Sequence, residues 1–520
     1  MSQMYLPFVE NTNKIVIKHT RIEINDYILG NSSYLEYLFS VFDPIYHMRF
    51  AKGAEYDENN KRLILPRGMN IDTLKKIFNA EPYVDKNHDP VVNTEPLMIK
   101  YLTKDDRQLE ILKFILGEDK YAYTKTKSQL AINSTTGSGK TFIAVATICI
   151  TGSRAIIITS STNWLRQWKD KILEYTQLEE DDLYMLIGKS SINKILSKDP
   201  TEYQIFLASH ATIQSYGNTH PDGWHAVDAL FKHLKCGMKI FDECHLYFDN
   251  MYKIDFHSNT RKTLYLTATP ARSSRDEDII YKEYFKNVPS IELFDKSTDP
   301  HVNYVGVLFN SAVTPEEIKT YSVGQFNFDR NIYTNILVHK ENFLKLVIVM
   351  IDFALKINGK VLIYIGINTA IDFIRDYIVS NFPFLQDHIG IYNSVVTNKD
   401  SRKNMLTKKI ILSTTKSCGA ASDIAYLAAT MVLAEPFKSA VTARQTLGRC
   451  RADNTMYFDC VDLACFRTRE YYRCKKPIFN KYAKSCKELL LTDDTLDQKY
   501  NEIIEFYKTN QPPVIPVYNE

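Results

Sequence analysis

Residues 129–150 read QLAINSTTGSGKTFIAVATICI, and this stretch decides the fold. An apolar run, Gln129–Asn133, precedes a glycine-rich turn that starts at Ser134, and a second apolar run, Phe142–Ile150, follows it. A strand, a glycine-rich loop and a helix N-terminus in this order bind phosphate through backbone N–H groups and the helix dipole. Lys140 is expected to reach the β- and γ-phosphates of a nucleotide, and Thr141 to bind Mg²⁺. The alternative is a glycine-rich turn before an ordinary helix, since the strict pattern has Gly where Ser134 stands.

Short β-branched runs alternate with helix-length segments in two successive series. The first comprises Gln129–Asn133, Ala155–Thr159, Ile205–Ser209, Met238–Phe241 and Thr263–Thr267. The second comprises Val361–Ile365, Ile389–Tyr392, Ile410–Ser413, Thr430–Ala434 and Tyr457–Val461. Strands separated by crossover helices form parallel sheets. The fold class is therefore predicted to be α/β, with two parallel-sheet domains in tandem.

Composition sets few limits on function. The chain has 520 residues and a net charge of only +3, so a nucleic-acid groove would have to come from local clusters of charge. Its nine cysteines form no CxxC pair, which indicates reduced thiols. No signal-peptide pattern and no membrane-length apolar run occurs, so we expect a monomeric cytoplasmic protein (host cytoplasm if viral) with no membrane contact.

The stretch MKIFDECH, residues 238–245, places an acidic pair at the end of an apolar strand. Ligands gather at the carboxyl ends of strands in open α/β sheets. Asp242 can bind Mg²⁺ there, and Glu243 can orient or deprotonate the attacking water. A solvated acidic loop is the alternative. The stretch LYLTATP, residues 264–270, ends another strand in small hydroxyl residues, which is a weak signal by itself.

The stretch QTLGRCR, residues 445–451, lies in the second α/β series. A guanidinium supplied by a second domain can stabilise the charge on a transferring γ-phosphoryl group. A solvated basic helix end is the alternative, and the stretch alone would favour it.

Taken in order, GSGKT, DECH, TATP and QTLGR resemble the motifs of the superfamily 2 helicases of the DExH type. The similarity is greatest to the bacteriophage UvsW group, whose accessory domain the stretches FDPIYHMRF (42–50) and KRLILP (61–66) also resemble. The resemblance implies two RecA-like domains with the ATP site in the cleft between them. It also implies ATP and Mg²⁺ as cofactors.

The resemblance assigns residues to four roles. Those for catalysis are Lys140, Asp242, Glu243, Gln445, Arg449 and Arg451. Those for nucleotide binding are Gln108 (in TKDDRQLE), Thr136, Gly137, Ser138, Gly139, Lys140, Thr141 and Asp423, with Thr141 and Asp242 on Mg²⁺. Those for the nucleic-acid strand are Ser160, Ser161, Gln167, Ser209, Gln214, Thr414 and Thr415. The sequence departs from the family pattern at two positions. In the stretch that resembles motif VI (from Gln445), position 452 is Ala where the family commonly has a second arginine. In the stretch that resembles motif V (from Ile411 to Ile424), Ala421 stands where the family usually has Gly.

The predicted domains follow from these assignments. They are an N-terminal α+β accessory domain (1–95), RecA-like domain 1 (96–295), a linker (296–330), RecA-like domain 2 (331–490) and a C-terminal tail (491–520). Within the accessory domain we expect strands at Lys14–Lys18, Arg21–Asn25 and Arg62–Leu65, and a helix at Ser33–Phe42. Four cations around one hairpin suggest that this domain binds duplex or junction DNA: Arg49, Lys52, Lys61 and Arg62.

Two functions follow from the resemblance. The first is an ATP-dependent DNA helicase or translocase that remodels branched DNA or R-loops in phage replication, recombination or repair. Its partners would be single-stranded and branched DNA and RNA–DNA hybrids, with replication or recombination proteins. The alternative is a viral transcription-associated DExH ATPase that acts with RNA polymerase in transcript release. A small-molecule P-loop kinase is disfavoured because it leaves the second series unexplained.

The stretch 467–487 interleaves basic and aromatic residues and has two interpretations. Aromatic residues at helical spacing usually face a core, with lysines on the wet side. The same composition can neutralise phosphates and stack on bases. The sequence favours the first interpretation.

Overall fold

The computed structural model describes most of the chain. The described residues are 14–43, 47–88, 91, 96–134, 139–246, 248–267, 275–293, 302–323, 327–393, 395–396, 398–418, 424–450, 454–516 and 518. They divide into two compact units, unit 1 up to Phe294 and unit 2 from Asp295.

Unit 1 contains a small N-terminal sheet and a large parallel sheet. Its strands are β1 (Ile15–Ile17), β2 (Arg21–Ile24), β3 (Ser40–Asp43), β4 (Met48–Ala51), β5 (Glu55–Asp57), β6 (Arg62–Pro66), β7 (Pro82–Val84), β8 (Gln129–Ser134), β9 (Ala155–Thr159), β10 (Leu183–Leu186), β11 (Ile205–Ser209), β12 (Met238–Asp242), β13 (Lys262–Thr267) and β14 (Ser290–Leu293). Its helices are α1 (Ser33–Leu38), α2 (Ile71–Phe78), α3 (Asp106–Leu116), α4 (Lys140–Thr151), α5 (Thr162–Tyr175), α6 (Gly188–Leu196), α7 (His210–Thr219), α8 (His225–Leu234), α9 (Phe248–Phe256) and α10 (Arg275–Phe285).

Unit 2 contains a second large parallel sheet. Its strands are β15 (Asn303–Phe309), β16 (Ser322–Val323), β17 (Asn327–Phe328), β18 (Lys360–Ile365), β19 (Ile389–Tyr392), β20 (Ile410–Ser413), β21 (Leu427–Ala434), β22 (Met456–Asp462) and β23 (Ser485–Leu490). Its helices are α11 (Pro315–Tyr321), α12 (Arg330–Leu337), α13 (Glu341–Lys356), α14 (Asn368–Asn381), α15 (Lys399–Thr407), α16 (Thr415–Cys418), α17 (Ala440–Leu447), α18 (Phe466–Tyr482) and α19 (Asp493–Thr509).

Each large sheet has seven strands, all parallel, which confirms the predicted fold class of two RecA-like domains. The order in unit 1 is β10-β11-β9-β12-β13-β8-β14, and in unit 2 it is β19-β20-β18-β21-β22-β15-β23. Helices cover both faces of such a sheet, so its inner strands read as continuous apolar runs. Ile156–Ile158 in β9 and Leu362–Tyr364 in β18 are fully buried for this reason.

The N-terminal region pairs its strands in the order β5-β6-β2-β1-β7. The helix expected over Ser33–Phe42 is shorter: it ends at Leu38, because the backbone from Ser40 turns extended to pair β3 antiparallel with β4. Buried side chains of this region, such as Tyr27 and Leu65, share one apolar cluster with Tyr284 of α10. The region therefore folds as part of unit 1, whereas the sequence suggested a separate domain over residues 1–95.

Two further boundaries differ from the expected ones. The segment interpreted as a linker contains β15, which pairs with both β22 and β23 in the second sheet. The segment interpreted as a tail contains α19, which packs on α13 through Leu496, Tyr500 and Ile503. Both segments carry apolar residues that the second sheet needs for its cover, so unit 2 extends well beyond residues 331–490.

No helix among the described residues combines the length and the apolar composition needed to cross a membrane.

Candidate active site

Three neighbouring strands of unit 1 bring the motif residues to one edge of the sheet. Strand β13 lies between β12 and β8, with Asp242 opposite Leu266 and Thr267 opposite Asn133. Because the strands are parallel, their carboxyl ends meet at this edge. Ser134, Asp242 and Thr267, the last residues of β8, β12 and β13, therefore lie at the same edge of the sheet.

The phosphate-binding side of the site is built on the start of α4. Lys140 is buried, and its Nζ donates a hydrogen bond to the Ser134 carbonyl oxygen at 3.0 Å. Gly139 has φ +84°, and a Cβ there would stand 2.1 Å from Nε2 of Gln108. Only glycine fits this position. The amide of Gln108 therefore lies against the turn, and its Oε1 accepts from the backbone N–H of Lys104 at 2.7 Å.

Asp242 is held by an indole. Nε1 of Trp168, from α5, donates to Asp242 Oδ2 at 2.8 Å. Burial and the negative charge of Glu243 raise the pKa of Asp242 to about 6, against the opposing effects of the Trp168 hydrogen bond and the Lys140 ammonium. The carboxylate thus lies close enough to Lys140 to feel its charge.

Glu243 adopts a backbone conformation that side chains rarely take, with φ +50°. Such strain concentrates at functional sites. Its Oε2 lies 3.3 Å from Nδ1 of His245, and the same nitrogen lies 2.8 Å from Oγ1 of Thr267. All three side chains are buried. His245 therefore links the acidic pair to the end of β13.

The residues assigned to the strand groove in unit 1 also follow strands. Ser160 and Ser161 follow β9, and Ser161 is the N-cap residue of α5, which carries Gln167. Ser209 ends β11 and caps α7 through a hydrogen bond from the Thr212 N–H at 3.2 Å. Gln214 accepts a hydrogen bond from Asn250 Nδ2 at 3.0 Å.

In unit 2, Thr414 and Thr415 follow β20. Thr415 donates its backbone N–H to Glu435 at 2.8 Å and its hydroxyl to the same carboxylate. Thr414 donates to Ser417 Oγ at 3.0 Å. Arg449 is buried just past α17, and the backbone of Gln445 lies in that helix. The arginine-finger role of Arg449 stays a prediction.

Several assigned residues lie outside what the structure describes. These are Thr136, Gly137, Ser138, Asp423 and Arg451, together with the side chain of Gln445. Their roles stay predictions.

Sequence reasoning missed Trp168 and His245 as members of the site. Trp168 is next to the assigned Gln167, but its contact with Asp242 spans 74 positions. His245 belongs to the DECH stretch itself, so its position two residues after Glu243 was the available signal.

The oxygen ligands at this edge fit Mg²⁺. Mg²⁺ prefers carboxylate and hydroxyl oxygens. Burial, and after it the charge of Glu243, raises the pKa of Asp242, so a nearby positive charge would stabilise the ionised acidic pair. A divalent cation held by Asp242 and by the hydroxyl of Thr141, in the first turn of α4, would supply that charge.

The basic residues that suggested DNA binding by the N-terminal region are largely paired. Arg62 binds Asp57 at 2.9 Å and Glu23 at 3.3 Å. Arg49 lies 3.5 Å from Asp276, and Lys52 lies 3.7 Å from Asp249. Lys61 remains exposed. These ion pairs remove much of the charge on which that hypothesis rested.

Residues 102–272 match the protein family described as type III restriction enzyme, res subunit. A Rad25 protein of Haloarcula marismortui, named as a DNA 3'-5' helicase, is 30% identical over 241 residues, which cover 44% of this chain and 35% of the relative. The DNA 3'-5' helicase XPB of Kineococcus radiotolerans is 26% identical over 145 residues, covering 28% and 24%. The chain is thus similar, over part of its length, to the res subunit of type III restriction enzymes and to two proteins named as DNA 3'-5' helicases. It matches about a third or less of the length of these two helicases.

Two solved structures align with the chain. Saccharomyces cerevisiae Dbp5 bound to RNA and ADP BeF3 aligns with a TM-score of 0.50 and 14% identity, covering 76% of this chain and 92% of Dbp5. T4 UvsW aligns with a TM-score of 0.35 and 13% identity, covering 92% of this chain and 99% of UvsW.

Proposed function

We propose that this protein is an ATP-dependent DNA helicase or translocase that remodels branched DNA or R-loops. The observation that supports it best is the grouping of Lys140, Asp242 and Glu243 at neighbouring strand ends, in a domain similar to those of DNA 3'-5' helicases. A role in phage replication, recombination or repair is part of the same proposal and follows from the UvsW-like motifs.

In the proposed reaction each side chain has a separate task. Lys140 binds the β- and γ-phosphates of ATP, for which it would leave the Ser134 carbonyl. Glu243 orients the attacking water and accepts its proton. His245 holds the Glu243 carboxylate and connects it to Thr267, so that nucleotide state can reach the end of β13. Mg²⁺ on Thr141 and Asp242 would neutralise phosphate charge.

The polymer proposed to stimulate this reaction is DNA. The assigned groove residues, such as Ser161, Ser209 and Thr415, are small and polar, and backbone N–H groups and hydroxyls of this kind contact phosphates. Contacts to phosphates are common to DNA and RNA, so the choice of DNA rests on the similarity to proteins named as DNA 3'-5' helicases. Single-stranded and branched DNA and RNA–DNA hybrids are therefore the proposed partners.

Steady-state ATP hydrolysis tests the proposal. Rates are measured without nucleic acid and with single-stranded DNA, forked DNA, an RNA–DNA hybrid and single-stranded RNA, using Lys140→Ala as the inactive control. Strong stimulation by DNA, greatest with forks or hybrids, is the expected result. Stimulation by RNA alone, or by none of these, would overturn the proposal and favour the transcription-associated ATPase that acts with RNA polymerase.

A further inference from the structure

Helix α18 has a buried face that belongs to the core of unit 2. Its buried residues are Thr468, Tyr472, Lys475 and Phe479, spaced three or four positions apart. The ring of Phe479 stacks on Tyr304 of β15 with the centroids 4.1 Å apart. These aromatic side chains stabilise the fold, as the favoured interpretation of the sequence held.

Two of the basic residues on this helix are also structural. Nζ of Lys475 lies 2.7 Å from Asp459 of β22, and both side chains are nearly inaccessible to solvent. Lys476 pairs with Glu488 of β23 at 2.6 Å. Their charges are balanced within unit 2.

The opposite face of α18 carries exposed basic and aromatic residues, the composition that suits phosphate and base contacts. Phe466, Arg469, Arg473 and Lys481 are all exposed, with 62% of Phe466 accessible to solvent. Within the described part of the chain, Arg469, Arg473 and Lys481 take part in no ion pair. We call these three cations the α18 row.

The geometry of the α18 row suits a phosphate backbone. At about 100° and 1.5 Å per residue, its members lie within about 120° of one another and extend over about 18 Å of helix. That length corresponds to roughly five nucleotides of one strand at about 3.4 Å each. The guanidinium of Arg469 lies 5.9 Å from the centre of the Phe466 ring, so an aromatic surface continues the row.

We propose that the α18 row binds the sugar–phosphate backbone of a single nucleic-acid strand, and that Phe466 stacks on one of its bases. This contact lies outside the motifs assigned to the strand groove, and it rests on the proposed function. Charge complementarity selects the occupant: none of the three cations is in an ion pair within the described residues, and a nucleic-acid strand supplies a regular series of negative charges to match them. Sequence-independent strand binding combines cations with stacking aromatics.

The test compares two triple variants with the same change in charge. One is Arg469→Gln/Arg473→Gln/Lys481→Gln. The control is Lys319→Gln/Lys499→Gln/Lys508→Gln, which removes three exposed lysines elsewhere in unit 2. Binding of fluorescent oligothymidylate DNA, of oligouridylate RNA and of a DNA duplex is measured by anisotropy over a series of salt concentrations. Thermal melting of each variant verifies folding.

The expected result is specific to the α18 row. Loss of three single-strand contacts should reduce the slope of log affinity against log salt by about 2, and the control should keep the wild-type slope. Phe466→Ala should weaken single-strand binding about fivefold or more and leave duplex binding unchanged. The DNA and RNA arms show which strand binds the row.

Two outcomes separate this inference from the proposed function. Equal slopes for the two triple variants, in a protein whose wild type binds DNA and is stimulated by it, would overturn the inference alone. Wild-type protein that neither binds nor responds to nucleic acid would overturn both. A folded row variant that keeps full affinity for both single strands would also overturn the inference.

Discussion

The two ends of strand β12 carry charged residues in opposite situations. At the amino end, Nζ of Lys239 lies 2.6 Å from Asp255, and neither side chain has any exposed surface. Asp255 also accepts hydrogen bonds from the hydroxyls of Tyr265 and Tyr284. At the carboxyl end, Asp242 has a raised pKa and Glu243 has a strained backbone.

The amino end is also where the N-terminal region docks. The hydroxyl of Thr20 donates to the carbonyls of Asp255 and Ser258, and the backbone N–H of His19 donates to Asn259 at 3.0 Å. One strand thus has a buried, ion-paired polar network at its amino end and the acidic pair at its carboxyl end. From this comparison we expect that charge at the amino end serves stability and charge at the carboxyl end serves chemistry, and that mutations can separate the two.

The largest effect is expected from Glu243→Gln. Loss of the general base should lower kcat for ATP hydrolysis by about 10²–10⁴-fold, with the KM for ATP and the melting temperature little changed. Steady-state kinetics and thermal melting measure the two properties. Glu292→Gln, an exposed carboxylate of β14 in the same sheet, is the control. A wild-type kcat for Glu243→Gln would mean that this edge is not the hydrolytic site.

At the amino end of β12 a substitution should change stability strongly and kcat little. Lys239→Met leaves the carboxylate of Asp255 buried without its cation, which should lower the free energy of unfolding by about 3–5 kcal/mol. The kcat measured at low temperature should stay near the wild-type value. Denaturant unfolding followed by circular dichroism gives the stability.

A surface ion pair provides the control for this prediction. Lys282→Met breaks the exposed pair with Asp278, which lies four residues before it in α10, and should cost about 0.5 kcal/mol or less. Similar losses for Lys239→Met and Lys282→Met would contradict the role given to the buried network.

A third prediction concerns the pH dependence of stability where the N-terminal region contacts the rest of unit 1. His257 lies between Glu55 of β5 at 2.9 Å and Asp228 of α8 at 3.6 Å. Burial lowers the pKa of His257, but the hydrogen bonds and charges of the two carboxylates outweigh it and raise the pKa to about 9. Arg21 and Arg62 line the same cavity of about 200 Å³, with His225.

The sign of the pH effect follows from the raised value. Stabilisation by protonated His257 is complete below its ordinary pKa of 6.5 and is lost as pH rises through about 9. At about 1.4 kcal/mol per pKa unit, it amounts to about 3 kcal/mol. The free energy of unfolding of the wild type, measured at intervals of about one pH unit from about pH 6 to about pH 10, should show this loss. His257→Gln should remove it, and His388→Gln in unit 2 should not. A wild-type loss that persists in His257→Gln would refute the assignment.

Local sequence patterns predicted the parallel strands of both sheets well. The β-branched runs located the parallel strands to within a few residues, because strands buried on both faces must be apolar throughout. The GKT and DECH stretches then followed those strands. Strand β15 has an apolar pattern in NYVGVLF (303–309), and helix α19 has one in the spacing of Leu496, Tyr500 and Ile503. Both were interpreted as a linker or a tail because no motif lies beside them.

Contacts across long sequence separations could not be predicted in this way. The bond from Trp168 to Asp242 joins residues of α5 and β12, and the bond from Thr20 to Asp255 joins the N-terminal region to α9. Periodicity identifies which side chains face inward, but it does not identify their partners. The division of labour along β12 therefore emerged only from the structure.

At the carboxyl end of β12, the smallest effect on kcat is expected from a substitution of Trp168, whose contact with Asp242 the sequence did not predict. Trp168→Phe keeps an aromatic ring at this position of α5 and removes the pyrrole part of the indole, with the N–H that donates to Asp242. Because that hydrogen bond opposes the raised pKa of Asp242, its loss should make the carboxylate a poorer Mg²⁺ ligand. We expect kcat to fall about tenfold at limiting Mg²⁺ and to recover partly at saturating Mg²⁺.

A second tryptophan supplies the control that decides this prediction. Nε1 of Trp224 donates to Asn218 at the surface of unit 1 and not to the acidic pair, so Trp224→Phe should leave the Mg²⁺ dependence unchanged. If Trp168→Phe lowered the melting temperature without changing the Mg²⁺ dependence, the indole would belong with the stabilising groups of the amino end. A shifted Mg²⁺ requirement with an unchanged melting temperature places it with the chemistry, because only a group acting through Asp242 would alter the requirement for the cation.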